Sequence, residues 1–301
     1  MEEIGPTVKK IRIIKGFTQK EVYAAVISRS FANRFERGLN DVSAAKLFII
    51  LDHLSISVDE FRFIQNNYQQ TVANELQTQL NKAYDSHDLQ QLGQIVAANK
   101  QSANLSLRSL AATGEILIES YYSKTVSITP EINNFWDKLF ASKTWTIHEI
   151  KLAVPLFIIA TSTGQIDLIP KMVNQFEINC KKYISNGSDP FGMLDELLNM
   201  YLAVFQIQLN LGQFEEAQNL AQKVDAIDPH TLSANSRISQ QLIKGISQLY
   251  FGNQATGEHI LQTIEAFESL YSPAIDHNVI EIIDVRRKLA GKYRKMQGES
   301  D

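Results

Sequence analysis

The amino-acid sequence predicts an all-α protein of two domains, a small N-terminal domain of five short helices followed by a larger array of helical repeats. Three observations carry this. Apolar residues recur every third or fourth position, as in Leu110–Tyr121 and Leu194–Leu209, where a half-buried strand would alternate. Capping side chains and glycines mark helix starts and stops at short intervals. The chain has 301 residues, more than one typical core of roughly 100–200 residues holds.

The head, residues 1–65, divides at its punctuation. Its first helix runs to about Lys15 and stops at Gly16, which tolerates the left-handed conformation. Thr18 and Glu21 have the spacing of a capping box and open the second helix. Ser28 caps the third, Gly38 ends it, and Ser57 with Glu60 forms a second box. Leu47, Ile50, Leu51 and Leu54 recur at helical spacing and cover the smaller helices, with Phe31 and Phe35 as further core candidates. From Asn66 to Gln79 the chain is polar and lacks Pro and Gly, which predicts a helical connector and a boundary near residue 66. The second domain is then 66–301.

Further helix starts are expected at Thr129-Pro130-Glu131, at Thr146 with Glu149, and at Asp189-Pro190. Three short turns, Thr163-Gly164-Gln165, Leu211-Gly212-Gln213 and Phe251-Gly252-Asn253, each join two apolar helices, at spacings of 48 and 40 residues. The middle unit resembles a tetratricopeptide repeat. With Leu198 as its first position, Gly212, Ala217 and Pro229 fall where that motif has its turn glycine, packing alanine and terminal proline. A lone helix pair cannot bury its apolar face, whereas stacked pairs build a curved solenoid with a concave surface. The last helix, about Asn278 to Met296, carries Ile282, Leu289, Tyr293 and Met296 on one face. Two roles are open to it, capping the repeats or pairing two subunits.

Composition narrows the function classes. Hydrophobic residues make up 44% and charged residues 21%, the balance of a folded soluble protein. The longest apolar stretches, such as Leu152 to Ala160, are far short of the roughly 20 residues that span a bilayer, and no signal-peptide pattern opens the chain. A cytoplasmic protein with no membrane partner is expected. The one cysteine, Cys180, forms no internal disulfide and reads as structural. The six histidines, at 53, 87, 148, 230, 259 and 277, lack metal-ligand spacing, and neither a Gly-rich phosphate loop nor a nucleophile elbow occurs. No enzyme, metal or cofactor is expected.

Charge is uneven: residues 1–66 hold ten Lys or Arg against eight Asp or Glu, and the remainder 19 against 25. A mildly basic head on an acidic body fits nucleic-acid binding by the head. Residues Gly16 to Phe61 resemble the helix-turn-helix domain of the phage-repressor and Xre class. The resemblance rests on Thr18-Gln19, Phe35-Glu36-Arg37-Gly38 and Ser57-Val58-Asp59-Glu60-Phe61. It implies that the third helix enters the major groove and turns Ser28, Arg29, Ser30, Asn33 and Arg34 toward DNA. Arg29, Ser30 and Arg34 are the candidates for base edges, because a guanidinium fork matches the acceptors of guanine. Gln19, at the start of the second helix, is expected to hold a phosphate. Arg12 and Glu36 occupy positions that form an internal ion pair in this class.

The whole chain resembles the Rgg family (Rgg/GadR/MutR) of peptide-pheromone receptors. A repressor-type head precedes some 230 residues of decayed helical repeats, and Ser28-Arg29-Ser30-Phe31 and Phe35-Glu36-Arg37-Gly38 resemble that family's recognition-helix region. The resemblance implies a homodimer on a pseudo-palindromic operator and control by a short imported peptide in quorum sensing. Some members carry a dimer-linking cysteine near the start of the fourth helix; this chain has Ala44 and Ala45 there. A peptide site follows from the repeat itself, since positions two, five and nine of its first helix face the concave side. Those are Asn199, Leu202 and Gln206, and the repeat offsets add Lys151, Val154 and Ile158 on one side and Ser239, Leu242 and Ile246 on the other. Such a stripe suits a short hydrophobic peptide, with Asn and Gln amides for its backbone and Lys151 for its carboxylate. The alternative is an Xre-type regulator without a peptide ligand, its helical domain serving dimerisation or a protein partner.

Overall fold

The structure, a computed structural model, describes residues 3–122, 130–185, 188–271 and 276–298. Those residues form seventeen α-helices and two 3-10 turns, and their only extended pairing is a lone bridge between Ser185 and Ser188. The chain divides into two compact units, Met1–Glu75 and Leu76–Asp301.

The first unit holds α1 (Ile4–Ile14), α2 (Gln19–Tyr23), α3 (Arg29–Phe35), α4 (Ala44–His53) and α5 (Val58–Gln65). α2, α3, α4 and α5 each begin on a capping side chain, while Glu3 makes no side-chain cap at the start of α1. Thr18 and Glu21 form the reciprocal capping box of α2. The Ser28 hydroxyl accepts from the Phe31 amide at 3.3 Å, and Ser43 accepts from that of Lys46. Ser57 likewise caps α5 through the Glu60 amide at 3.0 Å, but only this half of the expected second box is made. Gly16 and Gly38 stop α1 and α3 at φ +74° each, in the left-handed region that a Cβ disfavours. The core joins Val8, Ile11, Val22, Ala32, Phe35, Ile50, Leu51, Leu54 and Phe61, with Phe31 and Leu47 packed against it partly buried.

The expected helical connector is interrupted. α5 stops at Gln65, Asn67 and Tyr68 take φ +54° and +59°, and α6 (Val72–Asp85) begins only at Val72. The cause is the Asn66 side chain, whose amide donates to the carbonyls of Gln69 and Gln70 at 3.0 and 3.1 Å. Asparagine competes in this way with the helical ladder. The division between the units accordingly falls within α6, after Glu75 rather than near residue 66.

The second unit continues with α7 (Leu89–Asn99), α8 (Leu105–Tyr122), α9 (Pro130–Ala141), α10 (Ile147–Ala153), α11 (Pro155–Ser162), α12 (Ile169–Lys181), α13 (Met193–Asn210), α14 (Phe214–Asp225), α15 (Ala234–Phe251), α16 (Gln254–Glu268) and α17 (His277–Gln297). Pro130 opens α9 as expected, while the Thr129 cap lies outside the described residues. Thr146 and Glu149 make a full capping box. Asp189 caps α13 from a distance: its carboxylate accepts from the amides of Met193 and Leu194, both at 2.7 Å. The helix therefore starts at Met193, after Gly192 at φ +68°, and not directly behind Pro190.

The middle repeat is the hairpin α13–α14, with Leu198 and Ala217 buried inside it. A second hairpin, α15–α16, follows. α17 packs on α15, and its Arg294 donates to the carbonyls of Leu249 at 2.7 Å and of Gly252, at the C-terminal end of α15. Arg294 thus satisfies orphan carbonyls at a neighbouring helix's end. Met296, expected on the apolar face, is 83% exposed.

The helices α15 and α16 approach so closely that a Cβ at Gly257 would lie 2.7 Å from the Gly245 carbonyl oxygen and 2.8 Å from the Leu249 nitrogen. Both obstacles are backbone, so Gly257→Ala should destabilise the helical unit by about 1–3 kcal/mol. A Cβ at Gly93, in α7, meets nothing within 4 Å. Gly93→Ala should have the opposite sign, a gain of about 0.5–1 kcal/mol. Urea unfolding of the two variants beside the parent checks both directions.

Candidate functional site

In the head, α3 is seven residues long and two-faced. Ala32 and Phe35 are fully buried, while Arg29, Ser30, Asn33, Arg34 and Arg37 are exposed and share the opposite face by helical spacing. Ser28 stands at its N-cap, with its hydroxyl 3.2 Å from that of Ser30. The Arg34 guanidinium lies 5.9 Å from the centre of the Phe31 ring, a contact that restrains its stem and leaves its charged end in solvent. The structure thus brings together on one face the five residues that the sequence pointed to, and adds Arg37 at the end of the helix.

A network beneath this face holds α3 in place. Arg12 of α1 grips Glu36, at the C-terminal end of α3, with two bonds, Nε to Oε1 at 2.6 Å and Nη2 to Oε2 at 3.0 Å. Its third bond goes to the Phe17 carbonyl at 2.8 Å. The Tyr23 hydroxyl donates to the same carboxylate at 2.8 Å. Gln19 is half-buried, and its amide donates to Glu36 Oε2 at 2.9 Å and to Asn33 Oδ1 at 3.1 Å. Gln19 therefore ties α2 to the outer face of α3. Burial alone would raise the Glu36 pKa, but hydrogen bonds from Arg12, Gln19 and Tyr23 outweigh it and hold the carboxyl below its usual range.

Between α2 and α3 lies a depression of about 470 Å³ lined by Thr18, Gln19, Lys20 and Arg29, among others. Lys20 and Arg37 were not legible as site residues, since a single basic residue in a short helix is indistinguishable from a solvated one in sequence. Lys20 is singled out by lining this depression with Arg29, and Arg37 by its exposed position one turn after Arg34.

In the helical unit the nine expected ligand-face residues separate. Lys151 and Asn199 are exposed, and Val154, Ile158 and Leu202 are half-buried against the main core. Gln206 and Ser239 are half-buried. Leu242 and Ile246, both 0% exposed, are core residues instead. The reason is that α15 is packed by α13, α14, α16 and α17, so it has no free face at those positions. Gln206 is also engaged, accepting from Arg286 of α17 through both its side-chain and main-chain oxygens. Sequence reasoning passed over Glu196, on α13, whose carboxyl is pushed up to about 7 by burial, the nearby Lys151 charge offsetting part of the shift.

The class of the head follows from this geometry and from a direct match: residues 8–61 fit the helix-turn-helix family model. The first unit is a helix-turn-helix domain with α3 as its outward helix. The whole chain also has the fold of several solved proteins. A candidate transcriptional regulator from Listeria monocytogenes EGD-e matches with a TM-score of 0.70 and 19% identity over 99% of both chains. The SHP pheromone receptor Rgg2 from Streptococcus dysgalactiae matches with a TM-score of 0.62 and 17% identity over 98% of this chain and 100% of that one. PrgX in its complex with cCF10 matches with a TM-score of 0.59 and 14% identity over 97% and 99%.

The Arg12–Glu36 pair makes the head sensitive to acid. Because the Glu36 pKa is depressed on folding, its stabilisation is complete above the unfolded value near 4.5 and is lost as pH falls below it. Glu36→Gln should cost the head about 3 kcal/mol near pH 7, since it leaves Arg12 partly buried and unpaired. The difference from the parent should shrink toward pH 3, as read by thermal unfolding across that range.

Proposed function

We propose that this protein is a sequence-specific DNA-binding transcription regulator, acting as a homodimer on a pseudo-palindromic operator. Its operator binding or transcriptional output is controlled by a short hydrophobic signalling peptide held by the helical unit. The observation that carries the DNA-binding part is the exposed α3 face, where Arg29, Ser30, Asn33 and Arg34 project from a helix braced by Arg12 and Glu36. Arg29, Ser30 and Arg34 read base edges. Ser28 caps the helix, and Gln19 positions Asn33 while its own helix end approaches a phosphate. Two heads on half-sites about 34–36 Å apart give the affinity that one head lacks.

The full-length likeness to proteins described as pheromone receptors supports the peptide part. Lys151, Val154, Ile158, Asn199, Leu202, Gln206 and Ser239 remain as the ligand face, without Leu242 and Ile246. A peptide that prefers one dimer arrangement by about 1–3 kcal/mol shifts operator affinity roughly 5–150-fold. The burial of Leu242 and Ile246 favours the second reading, in which the helical unit serves dimerisation or a protein partner alone.

Binding to a fluorescent genomic promoter-fragment library at two salt concentrations tests the proposal, because phosphate contacts make affinity salt-dependent. Wild type should select a subset of fragments. Arg29→Ala combined with Arg34→Ala should lose about 1–3 kcal/mol of discrimination per arginine while remaining folded. A wild type that binds all fragments alike contradicts the proposal.

A further inference from the structure

Arg286 of α17 is 2% exposed, yet no acidic side chain among the described residues pairs with it. Its bonds all go to neutral acceptors: Nε to Gln206 Oε1, and Nη2 to the Gln206 carbonyl at 3.0 Å and to Asn210 Oδ1 at 2.8 Å. The neutral Tyr250 phenol also hydrogen-bonds the guanidinium, so its partners supply no negative charge. Arg286 Nη1 is buried with no hydrogen-bond partner, and so is Gln206 Nε2. The contrast with its neighbour is informative. Arg287 is more exposed, at 27%, and meets Glu258 and Glu265 at 2.8 and 2.5 Å. One helix therefore supplies the outer arginine with two carboxylates and the inner one with none.

Buried charges in proteins are paired, and buried donors are bonded, because desolvating either without compensation is costly. Here an uncompensated cation and two unpartnered donor groups occur in one contiguous cluster, and Gln206 within it belongs to the expected ligand face. The chemistry that satisfies all three is an anion with two planar oxygens, the natural match to a guanidinium fork.

We propose that Arg286, with Gln206 and Asn210, is a carboxylate-binding site that takes the free C-terminal carboxylate of the regulatory peptide. The peptide arm of this inference rests on the function proposed above; a small carboxylate ion presents the same chemistry. The incoming carboxylate accepts from the unpartnered Nη1, and the Gln206 amide turns its NH2 toward the ligand. Lys151, which sequence alone favours for this role, is exposed and already faces Glu196, so a carboxylate gains little there.

The test uses the full-length protein and an equimolar pool of N-acetylated pentapeptides of Ala, Val, Leu, Ile and Phe. The pool is offered once as free acids and once as C-terminal amides, and retained species are read by mass spectrometry after gel filtration. Sodium acetate, read by its effect on the thermal transition, is the small-ion arm. Arg286→Met and Arg286→Lys are compared, with far-UV circular dichroism and DNA binding by the head as checks of folding.

The expected result is at least tenfold preference of wild type for certain free acids over their amides. Arg286→Met should abolish that preference, and Arg286→Lys should reduce it. Without ligand, Arg286→Met should melt no lower than wild type, since an apolar replacement removes an unpaired buried charge. Retention of acids and amides alike overturns the carboxylate site while leaving the peptide receptor standing. Retention of neither, with an acetate-dependent rise in the transition that Arg286→Met loses, supports the site for a small ion and removes the peptide reading. Retention of neither and no acetate effect overturns both.

Discussion

The head is organised around one carboxylate. Glu36 accepts from Arg12 of α1 and from Gln19 and Tyr23 of α2, so two helices converge on a single group at the end of α3. Direct readout needs side chains held at fixed positions over a groove, and a seven-residue helix supplies little rigidity of its own. The bidentate arginine bond sets the angle of α3 against α1. The glutamine bond passes the restraint on to Asn33, on the outer face. Isolated buried pairs add little net stability, because desolvation offsets the attraction. Here the pair's value is geometric, and it also makes removal of either partner costly.

The head was legible because its signals are local. Thr18, Ser28 and Ser57 each act within three residues, and Gly16 and Gly38 act on their own backbone. The miss at the connector is instructive for the same reason. The polar run after Asn66 reads as helix by composition, yet one side chain bonding forward to Gln69 and Gln70 closes a turn that no periodicity reveals. The outward set on α3 was equally legible, since a buried Phe35 fixes which residues face solvent. Lys20 and Arg37 required three-dimensional placement.

The helical unit was harder to read for a physical reason. A leucine at helical spacing packs into a core or lines a groove with the same sequence signature, and only the neighbours decide. Leu202 is half-buried while Leu242, forty residues on in the same register, is fully enclosed because α17 covers α15. The register of the repeat was therefore informative at α13 and misleading at α15. Arg286 lay outside any repeat position and was not found from sequence at all, because what distinguishes it is the absence of an acid around it, a property of packing.

The central claim is that the outer face of α3 reads guanine-bearing base pairs. Dimethyl sulfate protection on a selected operator measures this most directly, because the reagent attacks guanine N7, the acceptor that an arginine fork covers. The account predicts protected guanines in two clusters about one helical turn apart, with protection lost at specific guanines when Arg34 is replaced by Ala. Tight binding without guanine protection, or protection unchanged by that substitution, would contradict it.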